Sequence, residues 1–393
     1  MAAHETINRR ISAIAPSVTL GITAKAKAMS AKGIKVFGFG AGEPDFDTPA
    51  HIKAAAAAAL ERGETKYAPA AGVTALCAAI SEKLERENNL KYKPNQIVVS
   101  CGAKHSLFNV IMAICDEGDE VILPGPYWLS YPEMVRVSGA GTVVLPTTEE
   151  TGFKVTARQV EKAITASSKA IIINSPCNPT GVAYTGDELR EIAEVAVRHG
   201  LFIISDEIYE KLIYDGMKHV SVGSVSGAVF EKTITVNGFS KAYAMTGWRL
   251  GYCAGPAEVM KAVDAFQSHS TSAPCTFAQF GAIEALRGSQ ECVAEMVAAF
   301  SKRRNRLYQR MCAAPGVKCV KPTGAFYVLP NISAFGLDSV RFSDRLLEDQ
   351  NVAVVPGVSF GSDAHVRLSY ACSMENIEGG MDRFEKFAAG LRG

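Results

Sequence analysis

Along the middle of the chain, short β-branched runs alternate with longer stretches in which apolar residues recur every three or four positions. The runs occupy residues 97–101, 120–123, 142–145, 170–174, 201–205, 233–236 and 250–254. Such alternation of strand and helix patterns predicts an α/β fold with a doubly wound, mostly parallel seven-stranded sheet between helices. Ahead of it, Ile11, Ile14, Val18, Ile22 and Ala26 recur at helical spacing until Gly33 ends the pattern, which predicts a helical N-terminal arm over residues 1–34. An alanine-rich helix is expected at 48–60. Beyond about residue 256 helical periodicity dominates, through a basic run from Ser301 to Leu307 read as a solvated helix face. A mixed α+β tail begins near Pro315, with strand signals at 325–329, 352–355 and 365–369. The expected division is an arm with part of a small domain at 1–47, a large domain at 48–305 and a smaller α+β domain at 306–393.

Composition narrows the partners. In 393 residues, 41 basic side chains face 40 acidic ones, and no Lys/Arg block stands out. That balance argues against a nucleic-acid surface or a membrane-surface helix, and leaves small molecules and copies of the same chain. Ten cysteines are scattered without C-x-x-C pairs, so they read as reduced thiols, and no metal site is expected. There is no secretion-type leader and no apolar run of membrane-spanning length, so a cytoplasmic protein is expected.

The candidate chemistry centres on T-V-N-G-F-S-K-A-Y-A-M-T-G-W-R-L-G, from Thr235 to Gly251. Lys241 follows the strand run at 233–236, at the carboxyl end where open α/β sheets place ligands. Ser240 adjoins it, and Arg249 offers a fork of donors suited to phosphate. Four other pieces end or follow strands of the same sheet. The turn Gly102-Ala103-Lys104 opens a helix whose first N–H groups suit an anion, although an ordinary strand-to-helix link has the same letters. Pro126-Tyr127-Trp128 puts a flat aromatic face beyond the second run. Asn174 to Gly181, N-S-P-C-N-P-T-G, is a rigid turn by virtue of its prolines. Asp206 and Tyr209 follow the run at 201–205, where an acid is as often a helix N-cap. Arg367 lies in a strand pattern, a common place for a structural ion pair. The glycines of V-F-G-F-G-A-G-E-P-D-F do not make a dinucleotide fingerprint, because Gly38, Gly40 and Gly42 give G-x-G-x-G and Pro44 and Pro49 interrupt the helix that should follow.

Taken together and in order, S-K-x-x-x-x-x-G-x-R-x-G, G-E-P-D-F, N-S-P-C-N-P-T-G, S-D-E-I-Y and R-L-S resemble the class I, fold-type I pyridoxal-phosphate aminotransferases, and most of all the Iβ aspartate and prephenate group. The resemblance runs from about Ile11 to the C-terminus, with Ser175 where many relatives differ. It implies pyridoxal phosphate joined to Lys241, with Asp206 keeping the pyridine nitrogen protonated. Asn178 and Tyr209 would hydrogen-bond the phenolic oxygen, and Trp128 would stack on the ring. Gly102, Ala103, Lys104, Ser240 and Arg249 would surround the phosphate. Tyr67 would reach the phosphate of the other subunit in a homodimer with shared sites. Gly40, Trp128, Asn178 and Arg367 would meet the substrate, Arg367 through its α-carboxylate, and Lys104 would meet a distal carboxylate. The implied reaction is transamination of aspartate with 2-oxoglutarate, with prephenate as a second substrate; a threonine matching Thr19 occurs in relatives that use it. Aminotransferases for aromatic or other neutral amino acids, and lyases on the same scaffold, remain alternatives. A nicotinamide oxidoreductase would need the missing fingerprint, and a regulator with this domain would need a DNA-binding module ahead of Gly40.

Overall fold

The computed structural model describes residues 7–14 and 18–391. All seven expected runs are strands of one sheet: β1 Ile97–Ser100, β2 Glu120–Pro124, β3 Gly141–Leu145, β4 Ser168–Asn174, β5 Phe202–Asp206, β6 Thr233–Gly238 and β7 Gly251–Ala254. Their spatial order is β1-β7-β6-β5-β4-β2-β3. Pairing is parallel from β6 through β3, whereas β7 runs antiparallel to both of its neighbours.

Period-two alternation sends successive side chains to opposite faces, and helices cover both. Ala170, Ile172 and Ile204 pack with Leu107 and Val110 of the helix Ala103–Ile114 and with Val263 of Ala257–Ser268. Ile171, Ile173 and Ile203 pack instead with Leu189, Ile192 and Ala193 of Gly186–Arg198. Each such fully buried isoleucine contributes about 1.5–3 kcal/mol. Gly186–Arg198 starts where it does because Thr185 and Glu188 cap each other's backbone N–H groups.

A second core gathers Phe37, Phe39, Phe300, Leu307, Phe326, Tyr327, Phe342, Leu368 and Phe384. Its strands are short. Phe37–Gly38, where no strand is expected from the sequence, pairs in parallel with Val352–Ala353. The expected strand at 352–355 is therefore divided, because Val355–Pro356 turns to pair with Val366–Ser369, whose other neighbour is Tyr327–Val328. Helices Ser339–Gln350 and Met374–Gly390 complete this α+β part.

The division expected at residue 305 falls inside the helix Glu291–Ala313. Val293 of that helix packs against the outer core of the large sheet, and Met296 and Phe300 pack in the second core. We propose this helix as the strut between the parts 48–305 and 306–393, with the arm 1–47 lending Phe37 and Phe39 to the smaller. The same helix corrects the expected solvated face at Ser301–Leu307. Arg304 and Leu307 are fully buried, with the Arg304 guanidinium donating to Asp215 at 2.6 Å and lying 4.6 Å from the Tyr214 ring. In the N-terminal arm the expected helix is two, Arg9–Ser12 and Val18–Ala31, and the side chain of Thr19 is outside the described residues.

Candidate active site

The register of the parallel strands aligns Asn174 with Asp206 and Asp206 with Val236, so the carboxyl ends of β4, β5 and β6 finish at one level. A cleft of about 930 Å³ opens there. Gly40, Ala103, Lys104, Trp128, Asn178, Asp206, Tyr209, Ser240, Lys241, Arg249 and Arg367 all line it. Of the remaining expected site residues, Gly102 sits directly behind Ala103, and Tyr67 lies outside the cleft with its side chain 99% exposed.

One end of the cleft is an anion cradle. Gly102 caps the helix Ala103–Ile114 with φ 89°, and a Cβ there would come within 2.6 Å of Arg249 Nη2. A Cβ on Gly251 would lie 2.3 Å from the Ala103 nitrogen, so Gly251 lets its strand meet the turn backbone to backbone while Gly102 makes room for the guanidinium. Arg249 fixes its fork by donating to the carbonyls of Cys101 at 3.1 Å and Thr246 at 3.0 Å. The first N–H groups of the helix have no partner within it, so they and the guanidinium point positive charge at one place.

At the centre, Lys241 Nζ donates to the Gly42 carbonyl at 2.6 Å. Burial pushes its pKa down to about 8; Glu43 opposes the shift, and Arg249 and Arg367 add to it. Asp206 accepts from the Tyr131 hydroxyl at 2.7 Å and from the Ile208 N–H at 3.2 Å. Burial pushes its carboxyl up to about 6 against those bonds, and a cation set beside it would favour the ionised form. Tyr131 also packs edge-on against Trp128, with ring centroids 5.2 Å apart. Tyr209 and Tyr327, both buried, bring their hydroxyls to 2.9 Å.

Two further cations line the cleft, Arg367 and Lys104. Arg367 Nη1 donates to Asn178 Oδ1 at 3.0 Å and Nη2 to the Gly40 carbonyl at 2.9 Å, while its buried Nε has no hydrogen-bond partner. Its guanidinium lies between the rings of Tyr327 at 4.4 Å and Phe360 at 5.0 Å. With Oδ1 engaged, the group that Asn178 has left to offer is its amide NH₂. Lys104 Nζ stands 4.9 Å from the Trp128 ring, its pKa lowered by burial and then by Arg249.

Tyr131 and Tyr327 are parts of the site that sequence reasoning missed. A signal existed for each, since a tyrosine buried in an apolar segment has a hydroxyl that needs a partner. Neither partner, Asp206 for one and Tyr209 for the other, is near in sequence.

A deep carboxylate, an amine of lowered basicity and an anion cradle occupy separate walls of one cleft, and they fit a flat, phosphorylated aldehyde with a basic ring nitrogen. Pyridoxal phosphate has those features. A lysine-centred transferase is the class that this fold and cleft define. The chain belongs to the aminotransferase class I and II family, whose model matches residues 34–384, and it is a pyridoxal-phosphate-dependent aminotransferase. It is 49% identical over 384 residues to aspartate aminotransferase of Bacillus subtilis, covering 96% of this chain and 98% of that one. It is 47% identical over 382 residues to the aspartate/prephenate aminotransferase of Thermus thermophilus, covering 97% and 98%. A solved structure of the Thermus thermophilus aspartate aminotransferase with maleate matches with a TM-score of 0.94, covering 97% of this chain and 99% of that one.

Proposed function

We propose that this enzyme transfers the amino group of L-aspartate to 2-oxoglutarate, giving oxaloacetate and L-glutamate, and that prephenate is a second amino acceptor. The observation that carries the reading is that two cations besides Lys241 and Arg249 line the cleft: Arg367 with an unpaired buried Nε, and Lys104 over Trp128. Two carboxylates on one substrate would satisfy both. Relatives named for aspartate or for aspartate and prephenate, at 46–51% identity over nearly the whole chain, support it.

In this reading the cofactor, when bound, supplies a carbonyl that joins to amines and a protonated ring that accepts the electrons of a broken Cα–H bond. Gly102, Ala103, Ser240 and Arg249 would hold its phosphate, with Lys104 beside them. Asp206, kept in place by Tyr131, would keep the ring nitrogen protonated. Tyr209 and the Asn178 amide would donate to the ring oxygen, and Trp128 would offer the ring an aromatic face. Lys241, whose amine is half neutral near pH 8, would anchor the cofactor and, when free, would take the proton from the substrate Cα through Nζ. Arg367 and the Gly40 backbone hold the α-carboxylate, and Lys104 holds the distal one.

The same proposal includes a homodimer in the cytoplasm, working in amino-acid biosynthesis. An exposed Tyr67 is free to complete a second subunit's phosphate site, and ten free cysteines suit a reducing compartment.

A kinetic panel tests the substrate assignment. Lys104→Ala should raise KM for aspartate, glutamate and prephenate about tenfold to hundredfold, the worth of one charge-assisted contact, and leave alanine and phenylalanine nearly unchanged. Arg367→Ala should injure all of them alike. Equal loss on neutral and dicarboxylic substrates in Lys104→Ala would remove the case for aspartate, and elimination products in place of an oxo acid and a new amino acid would make the enzyme a lyase.

A further inference from the structure

Tyr327 has no part in the roles assigned above, yet its hydroxyl is 2.9 Å from that of Tyr209 deep in the cleft. We propose that Tyr327 is a positioning residue that acts through Tyr209, donating a hydrogen bond to the Tyr209 oxygen and thereby strengthening the bond that Tyr209 gives the cofactor's ring oxygen. The inference rests on the role given to Tyr209 under the proposed function. If the Tyr209 proton is committed to the ring oxygen, the Tyr209 oxygen can only accept, and Tyr327 must be the donor. A phenol that accepts one hydrogen bond becomes a better donor in the next.

The surroundings are built for that direction. The Arg367 guanidinium lies 4.4 Å from the Tyr327 ring, and positive charge over a phenol makes its O–H the more acidic. The two residues belong to adjacent strands of one small sheet, in which Leu368 pairs with Val328 and Ser369 with Tyr327. Gly42 leaves room for the hydroxyl: a Cβ there would sit 3.1 Å from Tyr327 Oη, and the carbonyl of the same residue accepts from Lys241. Packing alone would be served equally by phenylalanine, since the Tyr327 ring already meets Phe326 at 4.7 Å and the edge of Tyr209 at 5.8 Å.

The test is a spectroscopic pH titration of the holoenzyme without substrate, following the visible absorbance of bound pyridoxal phosphate. Tyr209→Phe should raise the midpoint of the colour change, because the charged ring oxygen loses a donor. Tyr327→Phe, which keeps the ring, should raise it by roughly 0.3–0.7 pH unit. In a Tyr209→Phe background, Tyr327→Phe should add nothing. Should Tyr327→Phe lose its fold, 3-fluorotyrosine at position 327, a stronger donor, should move the midpoint downward instead. A shift from Tyr209→Phe with none from Tyr327→Phe overturns this inference and leaves the role of Tyr209 standing. An equal shift from Tyr327→Phe with and without Tyr209 also overturns it, since Tyr327 would then act directly. No shift from Tyr209→Phe removes both.

Discussion

Lys241 holds its proton less tightly than a surface lysine because water is kept from its ammonium while two guanidinium groups stand nearby, which brings its pKa to about 8. Only the neutral amine attacks a carbonyl. Covalent capture of pyridoxal phosphate by the cofactor-free protein should therefore quicken as pH rises and level off above about 8, a profile measurable by stopped-flow absorbance. An ordinary lysine would go on gaining rate toward pH 10. Lys241→Ala should lose covalent capture and nearly all turnover while still binding the cofactor through the cradle around Arg249. Retention of more than about one percent of activity, equivalent to a barrier raised by less than ~2.7 kcal/mol, would take Lys241 out of the centre of the reaction. At this scale the candidate residues that end or follow strands were legible one at a time, because a strand end is where a polar side chain reaches a ligand crevice. Tyr131 and Tyr327 were not, since each acts through a contact with a residue distant in the chain.

Among the elements, the segment that carries Asp206 and Tyr209 is tied down from behind by charge. Glu210 accepts from Lys83 and from Asn88, both on the helix Thr74–Asn88, and all three are buried. Asn88 also reaches Ser221, which donates to Glu207, and Glu207 meets His219 at 3.0 Å. Burial opposes ionisation of Glu210, but the charges of Lys83 and His219 outweigh it and hold its pKa down at about 2. A carboxyl whose folded pKa is depressed stabilises the fold fully above its unfolded value of 4.5 and loses that contribution as pH falls toward 2. Lys83→Met would strand the carboxylate and should destabilise the fold by about 3–5 kcal/mol at neutral pH. Urea unfolding should show that deficit at pH 7 and a smaller one near pH 3. A loss below about 1 kcal/mol at pH 7 would mean that Glu210 finds other support. The β-branched runs made the seven strands readable. Phe37–Gly38 and Val352–Ala353 were less so, being two residues each and paired across most of the chain, and the buried Arg304 defeated a reading that took a basic run for a wet helix face.

For the whole molecule, Tyr67 stands apart from the cleft and is exposed. In the proposed dimer each site draws Tyr67 from one subunit and Lys241 from the other. Tyr67→Phe should weaken cofactor retention, and refolding it together with Lys241→Ala should yield hybrids that regain activity beyond the share of the Tyr67→Phe homodimer. A mixture that regains none would show that Tyr67 serves its own chain.

The position of β7 has a consequence for biosynthesis. β1 is at the edge of the sheet, and among the described residues β7 is its one strand neighbour. At about 5–20 residues per second on the ribosome, β7 emerges on the order of ten seconds after β1. Throughout that interval Val98 and Val99 lie on a strand whose pairing edge is open, a hazard that nascent chains must shield. The Gly102 turn is unfinished for as long, since Gly251 and Arg249, which pack against it, arrive with β7. A nascent chain halted before Arg249 would carry Gly102, Ala103 and Ser240 but lack the guanidinium of the proposed phosphate site, so firm binding of the cofactor is expected only once β7 has joined the sheet.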